Sequence, residues 1–200
     1  MLRVTNVKVY DLEESIIACR NAMRMEPATY SQEEFAKSLE RARKLAATET
    51  GSGHQTFLSG IRVSFDLIYP NYISPELQRY HWIDIVTSSS KMHTLTKMAD
   101  DPDRYNKYVN QASLDNMKAL MDEFNRAESA DERYEAFMRL VSNCPQGIEL
   151  FMRVSTNYLQ LKTIYAQRKN HKLREDWVEG FCENFIEKLP YSELITGNNC

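Results

Sequence analysis

The chain has 200 residues, a net charge of -3 and a pI near 5.9, which excludes the basic footprint of a nucleic-acid-binding protein. With 42% apolar and 26% charged residues it has the composition of an ordinary folded protein, long enough to bury a core as one domain over residues 1–200. No apolar run approaches the roughly 18 residues of a membrane helix, and the start, Met1-Leu2-Arg3-Val4-Thr5-Asn6, lacks the apolar stretch of a signal peptide, so a cytoplasmic location is expected.

The cysteines are Cys19, Cys144, Cys182 and Cys200. None stands at ligand spacing from another or from a histidine, so reduced, mostly buried thiols are expected and no metal. Nine Met and eleven Tyr suit a core and pocket or subunit surfaces.

Val4, Val7 and Val9 predict a first strand over 3–10, with a turn over 11–14. Residues 15–23 fit no single period. Ser31-Gln32-Glu33-Glu34 is a capping box, and Phe35, Leu39, Ala42, Leu45 and Ala46 follow at helical spacing. That helix runs to about Thr48 and stops at Gly51 and Gly53. His54 then stands just past a helix end, where a histidine either caps carbonyls or faces a ligand. Ile61, Val63, Phe65 and Leu67 alternate with Arg62, Ser64 and Asp66, the clearest strand of the chain, and Pro70 ends it.

Ser74-Pro75-Glu76 predicts a short helix, Ser-capped, over 75–81. Ile83, Ile85, Val86 and Thr87 predict a short strand. Ser88-Ser89-Ser90 then turns the chain before Lys91. Hydroxyls, a lysine and free turn N–H groups together make a donor set for phosphate; a plain loop is the other reading of a serine run. Asp100 to Asp103 is a break, followed by a long amphipathic helix over 105–126 and a second over 131–141.

Cys144-Pro145 ends that helix, and 148–154 reads as a strand. Asn157 is the N-cap of a helix carrying Leu161, Ile164, Tyr165 and Arg168. The basic run Arg168-Lys169-Asn170-His171-Lys172 suits the negative end of a helix dipole. Lys162, Arg168 and His171 are also spaced to converge on an anion. Trp177, Phe181 and Phe185 at steps of four predict a last buried helix ended by Leu189-Pro190. The core is expected over 1–190, with a loose tail over 191–200.

Three of the four histidines and one of the two tryptophans fall within 51–93. Titrating groups beside stacking rings are the chemistry of a small-molecule site, or of a hairpin whose polar groups are incidental. No Gly-rich dinucleotide fingerprint, P-loop or nucleophile elbow is present.

Taken together, His54, the alternating strand, Gln78-Arg79-Tyr80-His81 and the serine turn resemble the signature region of flavin-dependent thymidylate synthases. In that family a histidine precedes a strand, an Arg-His-Arg triplet leads to a serine, and an Arg-Tyr follows. Laid ungapped from His54, the triplet falls on Arg79-Tyr80-His81, the serine on Ser89 and the next arginine on Lys91. Cys144-Pro145 resembles the family's Leu-Pro before a strand. Asn157 resembles its helix-starting Asn, Arg168 its late nucleotide-binding Arg, and His171 lies near a family histidine. The chain departs from the pattern at Tyr80, at His81 and at Leu159, positions that in the family serve mainly the flavin.

The resemblance implies an α+β fold with a small, mostly antiparallel sheet and a large helical part. It implies substrate contacts through Arg79, Ser88, Ser89, Ser90, Lys91 and Arg168, and cofactor contacts through His54, Arg79, His81, Asn157 and His171. It assigns no catalytic residue. The substrate implied is a pyrimidine nucleotide such as dUMP, alkylated at C5 with FAD and a folate carbon donor. The assembly implied is a homotetramer with sites between subunits, and neither nucleic acid nor membrane is a partner. The Gln-Arg-Tyr-His and Ser-x-Ser-x-Met-His patterns also resemble phage-like proteins, which implies a divergent branch. The lost flavin positions make a second reading: a non-catalytic protein on this fold that senses or sequesters a nucleotide, a signalling nucleotide if the source is a phage. A helical interaction protein without a small ligand is the third reading, and the basic and hydroxyl residues above argue against it.

Overall fold

The computed structural model of the chain describes residues 1–49 and 51–197. Four strands form one antiparallel sheet in the order β1-β2-β4-β3, with β1 Arg3–Tyr10, β2 Arg62–Pro70, β3 Asp84–Ser88 and β4 Glu149–Asn157. The two central strands bury alternate residues: Val63, Phe65, Leu67 and Tyr69 on β2; Leu150, Met152, Val154 and Thr156 on β4. This is the period-two pattern that a sheet with one covered face requires. The edge strands are largely exposed, β3 along its whole length.

The helices are α1 Leu12–Ala18, α2 Gln32–Ala46, α3 Ser74–Leu77, α4 Lys91–Met98, α5 Gln111–Arg126, α6 Ala130–Asn143, α7 Tyr158–Arg168 and α8 Glu193–Thr196, with a π-helix over Arg174–Glu183. Four expectations change, and one helix, α4, falls where none was assigned. Residues 12–18 are helix where a turn over 11–14 and no single period beyond it were expected, because Ile16 and Ile17 are buried. The helix after Ser74 ends at Leu77, and Ser74 makes no cap. The residues after the serine turn form α4, whose Leu95 is fully buried. The long helix begins only at Gln111, because Asn110 Oδ1 accepts from the Ser113 N–H and caps it there. The last aromatic helix is a π-helix.

The chain divides into two compact units. The first comprises Met1, Ile68–Arg79 and Thr87–Met152. Its core is Leu95, Tyr105, Met117, Leu120, Leu140 and Ile148, where α5 packs on α6. Ser129 and Glu132 form a reciprocal capping box that starts α6.

The second unit comprises Leu2–Leu67, Tyr80–Val86 and the chain from Arg153 onward. Ser31 caps α2 by accepting from the Glu34 N–H. Positive φ at Gly51 and Gly53, a conformation that favours glycine, turns the chain after α2. Trp177, Phe181 and Phe185 make an aromatic row: Trp177 to Phe181 is 5.5 Å, Phe181 to Phe185 5.1 Å, and Phe65 sits 4.6 Å from Phe185. The expected loose tail is not loose through Thr196, since Leu194 and Ile195 are buried and Glu193 pairs with Arg43 at 2.8 Å. Residues 198–200, and the expectation for Cys200, lie outside the described residues.

Gly180 belongs to the same row. A Cβ there would meet the Leu2 carbonyl at 2.5 Å and that of Glu175 at 3.0 Å. Both are backbone atoms, so relief requires the π-helix to move. Gly180→Ala is expected to destabilise the fold by about 1–3 kcal/mol, read in a denaturant titration; an unchanged midpoint would contradict this packing.

Candidate functional site

In the second unit, β4 ends and α7 begins at Asn157, which is buried. Its Oδ1 accepts from the Gln160 N–H at 2.9 Å, the expected N-cap. The Tyr158 N–H donates to the Ile61 carbonyl at 3.1 Å, which ties the start of α7 to the residue before β2.

Arg168 is the last residue of α7, near the negative end of its dipole. Its Nε donates to the Tyr80 hydroxyl at 2.7 Å, and that hydroxyl donates to Gln167 Oε1 at 3.1 Å. The guanidinium lies 4.5 Å from the centroid of the Trp177 ring and 5.6 Å from that of Tyr80. His171 Nε2 is 2.7 Å from Arg168 Nη1, while the Leu173 N–H donates to His171 Nδ1 at 3.2 Å and orients the ring. Trp177 itself is fully buried. Of the three residues expected to converge, Arg168 and His171 meet, while Lys162 turns its Nζ to the Ala46 carbonyl. The structure adds Tyr80 and Trp177, which sequence reasoning had placed elsewhere: Tyr80 as a departure from a motif, Trp177 as plain core.

The other residues with cofactor or substrate expectations lie apart from this cluster or in the first unit. His54 is exposed in the turn before Gln55 and lines a cavity of about 1000 Å³ between α1, α2 and the turn. His81 is exposed in the turn before β3. Arg79, in the first unit, is exposed after α3. Ser88 ends β3, and Ser90 and Lys91 start α4 without a side-chain cap. Ser89 extends the strand pairing: its N–H donates to the Phe151 carbonyl at 2.8 Å, and its Oγ accepts from the Phe151 N–H at 3.0 Å. The free N–H expected at Ser89 is therefore taken.

A second, smaller cavity of about 230 Å³ adjoins α7, lined by Gln55, Leu159, Lys162, Thr163 and Gln167 among others. Gln55 is buried; its Nε2 donates to the carbonyls of Ala46 at 3.0 Å and Thr48 at 2.5 Å. Its Oε1 is buried with no partner among the described residues. Lys162 Nζ donates to the same Ala46 carbonyl at 2.9 Å, and burial pulls its pKa below the usual lysine value. No sequence signal marked Gln55 as buried.

The thiols are free among the described residues. Burial raises the pKa of Cys19 and Cys144 and pushes Cys182 up to about 12, so none is poised as a nucleophile. No group of three His, Cys, Asp or Glu among the described residues could hold a metal. Among those residues, too, no helix is long and apolar enough to cross a membrane.

The fold defined by these elements is that of the flavin-dependent thymidylate synthases. The chain is similar to ThyX from Helicobacter pylori, a flavin-dependent thymidylate synthase solved with FAD and dUMP, with a TM-score of 0.73 at 15% identity over 99% of both chains. A second structure of that Helicobacter pylori protein with FAD and dUMP gives 0.68 at 15% identity, over 98% of this chain and 96% of the other. The UMP/dUMP methylase PolB from Streptomyces cacaoi, bound to 5-Br dUMP, gives 0.60 at 13% identity over 98% and 92%. No family model matches the chain, and no curated protein matches it in sequence.

Tyr80→Phe keeps the ring beside Arg168 and removes the oxygen that accepts from its Nε. The expected loss is about 1 kcal/mol of stability, with faster solvent exchange of the Arg168 Nε proton by NMR. Unchanged exchange would show that the hydroxyl does not hold the arginine.

Proposed function

We propose that the protein binds a pyrimidine nucleotide, with Arg168 as the contact to the base. The observation that carries this is the ordering of Arg168 by Tyr80, Trp177 and His171. An arginine held in place before binding loses little rotamer freedom when a ligand arrives, and its planar fork suits the carbonyl edge of a base or a phosphate. The neighbours in fold are described with dUMP or 5-Br dUMP, which supports the same ligand class for this chain. In the first unit, taken by itself, the hydroxyls of Ser88 and Ser90 and the ammonium of Lys91 form a donor set suited to a phosphate. Ser89 contributes less, because its N–H and one oxygen lone pair serve the sheet.

FAD is the cofactor that the fold implies, and the residues at its expected positions do not fit it. Leu159 brings no charge where the resemblance calls for an arginine. The Tyr80 hydroxyl already serves Gln167 and Arg168, and Asn157 Oδ1 already caps α7. The proposal therefore stops at binding, a protein that senses or sequesters its nucleotide, and no alkylation step is derived.

The surface supports an oligomer, the proposed homotetramer of this reading. Trp82 is 69%, Val86 63% and Phe151 57% exposed in the single chain. Exposed apolar side chains of this size are candidates for burial in a subunit contact.

Thermal shift with dUMP tests the ligand: at 100 times the dissociation constant it adds about 2.7 kcal/mol of stability. Arg168→Ala is expected to abolish that shift while the fold persists. Adding FAD is expected to give no bound-flavin absorbance; a flavin spectrum after gel filtration would return the enzyme reading. A melt that no pyrimidine nucleotide moves would overturn the proposal, and a monomer in sedimentation would remove the oligomer.

A further inference from the structure

Gln167 is exposed, one residue before Arg168 at the end of α7. It belongs to no motif, and the family resemblance assigns it no role. Yet its Oε1 accepts from the Tyr80 hydroxyl at 3.1 Å, and the oxygen of that hydroxyl accepts from Arg168 Nε at 2.7 Å. The three side chains form one hydrogen-bonded chain, and all three lie in the second unit.

The direction of that chain follows from what each group can do. A guanidinium only donates, so the Tyr80 oxygen must turn a lone pair toward Nε. The single phenolic proton then points elsewhere. The amide carbonyl of Gln167 takes it, and this is what assigns oxygen rather than nitrogen to the end of the amide that faces Tyr80. A hydroxyl that donates one hydrogen bond becomes a better acceptor of the next, the cooperative strengthening of a hydrogen-bonded chain. Gln167 therefore acts on Arg168 through Tyr80: it fixes the phenolic proton away from the guanidinium and strengthens the oxygen that holds Nε.

We propose that Gln167 is a positioning residue for the nucleotide contact: by setting the polarity of the Tyr80 hydroxyl it holds Arg168 in its binding orientation before a ligand arrives. The binding half of this proposal rests on Arg168 being the ligand contact; the relay from Gln167 to Arg168 does not. An arginine already held loses less freedom on binding, so the relay acts on affinity without Gln167 touching the ligand.

The test uses the full chain and two readouts: solvent exchange of the Arg168 Nε proton by NMR, and calorimetric titration with dUMP. Gln167→Leu removes the acceptor and keeps similar bulk at an exposed position, and circular dichroism checks that the fold persists. Exchange is expected to quicken, and the dissociation constant for dUMP to rise about two- to fivefold, the loss of one neutral hydrogen bond. In a Tyr80→Phe background the same substitution is expected to change neither quantity, because Gln167 has nothing left to act through. Gln167→Glu supplies an acceptor again and is expected to bring exchange back to the parent rate. Parent-like exchange in Gln167→Leu, a further loss of the same size in the Tyr80→Phe background, or no recovery with Gln167→Glu would each overturn the relay. Quickened exchange with unchanged dUMP affinity would overturn the positioning role. A parent chain that binds no pyrimidine nucleotide would remove the nucleotide reading and the binding half with it, while the exchange rates still decide the relay.

Discussion

The junction at Asn157 fixes where the chemistry of the second unit can sit. A central strand stops there and a helix starts with no intervening loop, so the side-chain oxygen of Asn157 is the direct link between sheet and helix. Thr156 Oγ donates to the Trp82 carbonyl at 2.9 Å and Tyr158 N–H to the Ile61 carbonyl, so the junction is pinned on both sides. An α-helix leaving a fixed point on a sheet has its far end determined by its length, about 1.5 Å per residue. Eleven residues later that end is Arg168. The arginine is thus aimed by backbone hydrogen bonds well away from it, and only then steadied by Tyr80, Trp177 and His171.

The central parts of the fold could be read from the chain because burial imposed a clear period. Val63, Phe65 and Leu67 alternate because only one face of β2 is covered, and Asn157 caps because the first N–H groups of α7 need an acceptor. The misread elements are those that tertiary packing decides. Ile16 and Ile17 are adjacent, which suits neither period alone, yet both are buried and residues 12–18 coil to bury them. α5 starts after Asn110 rather than at residue 105, because Tyr105 is taken up by a bridge to Ile148 and the Asn110 cap fixes the start. Leu95 is a lone buried contact in a short helix, too little to give a readable pattern.

For the site, the balance differs. Arg168 and His171 were legible together because three residues at a helix end keep side chains close. Their cradle was not, since Tyr80 and Trp177 reach Arg168 from opposite directions along the chain, 88 residues before it in one case. Sequence reasoning saw Tyr80 only as a missing family residue; its positive role, holding a guanidinium through a hydroxyl, exists only in three dimensions.

The π-helix over Arg174–Glu183 has one more consequence. Its hydrogen bonds reach five residues back, as in Asn184 N–H to the Glu179 carbonyl at 3.0 Å, a geometry too poor to persist over ten residues by itself. It stands because its neighbours hold it: Asp176 accepts from the Leu2 N–H at 3.0 Å, a contact that closes 174 residues of chain. A closure of that span carries a loop-closure cost that local contacts do not. Asp176 is the neighbour of Trp177, so the ring on which the Arg168 guanidinium rests is held in place by a contact with the second residue of the chain.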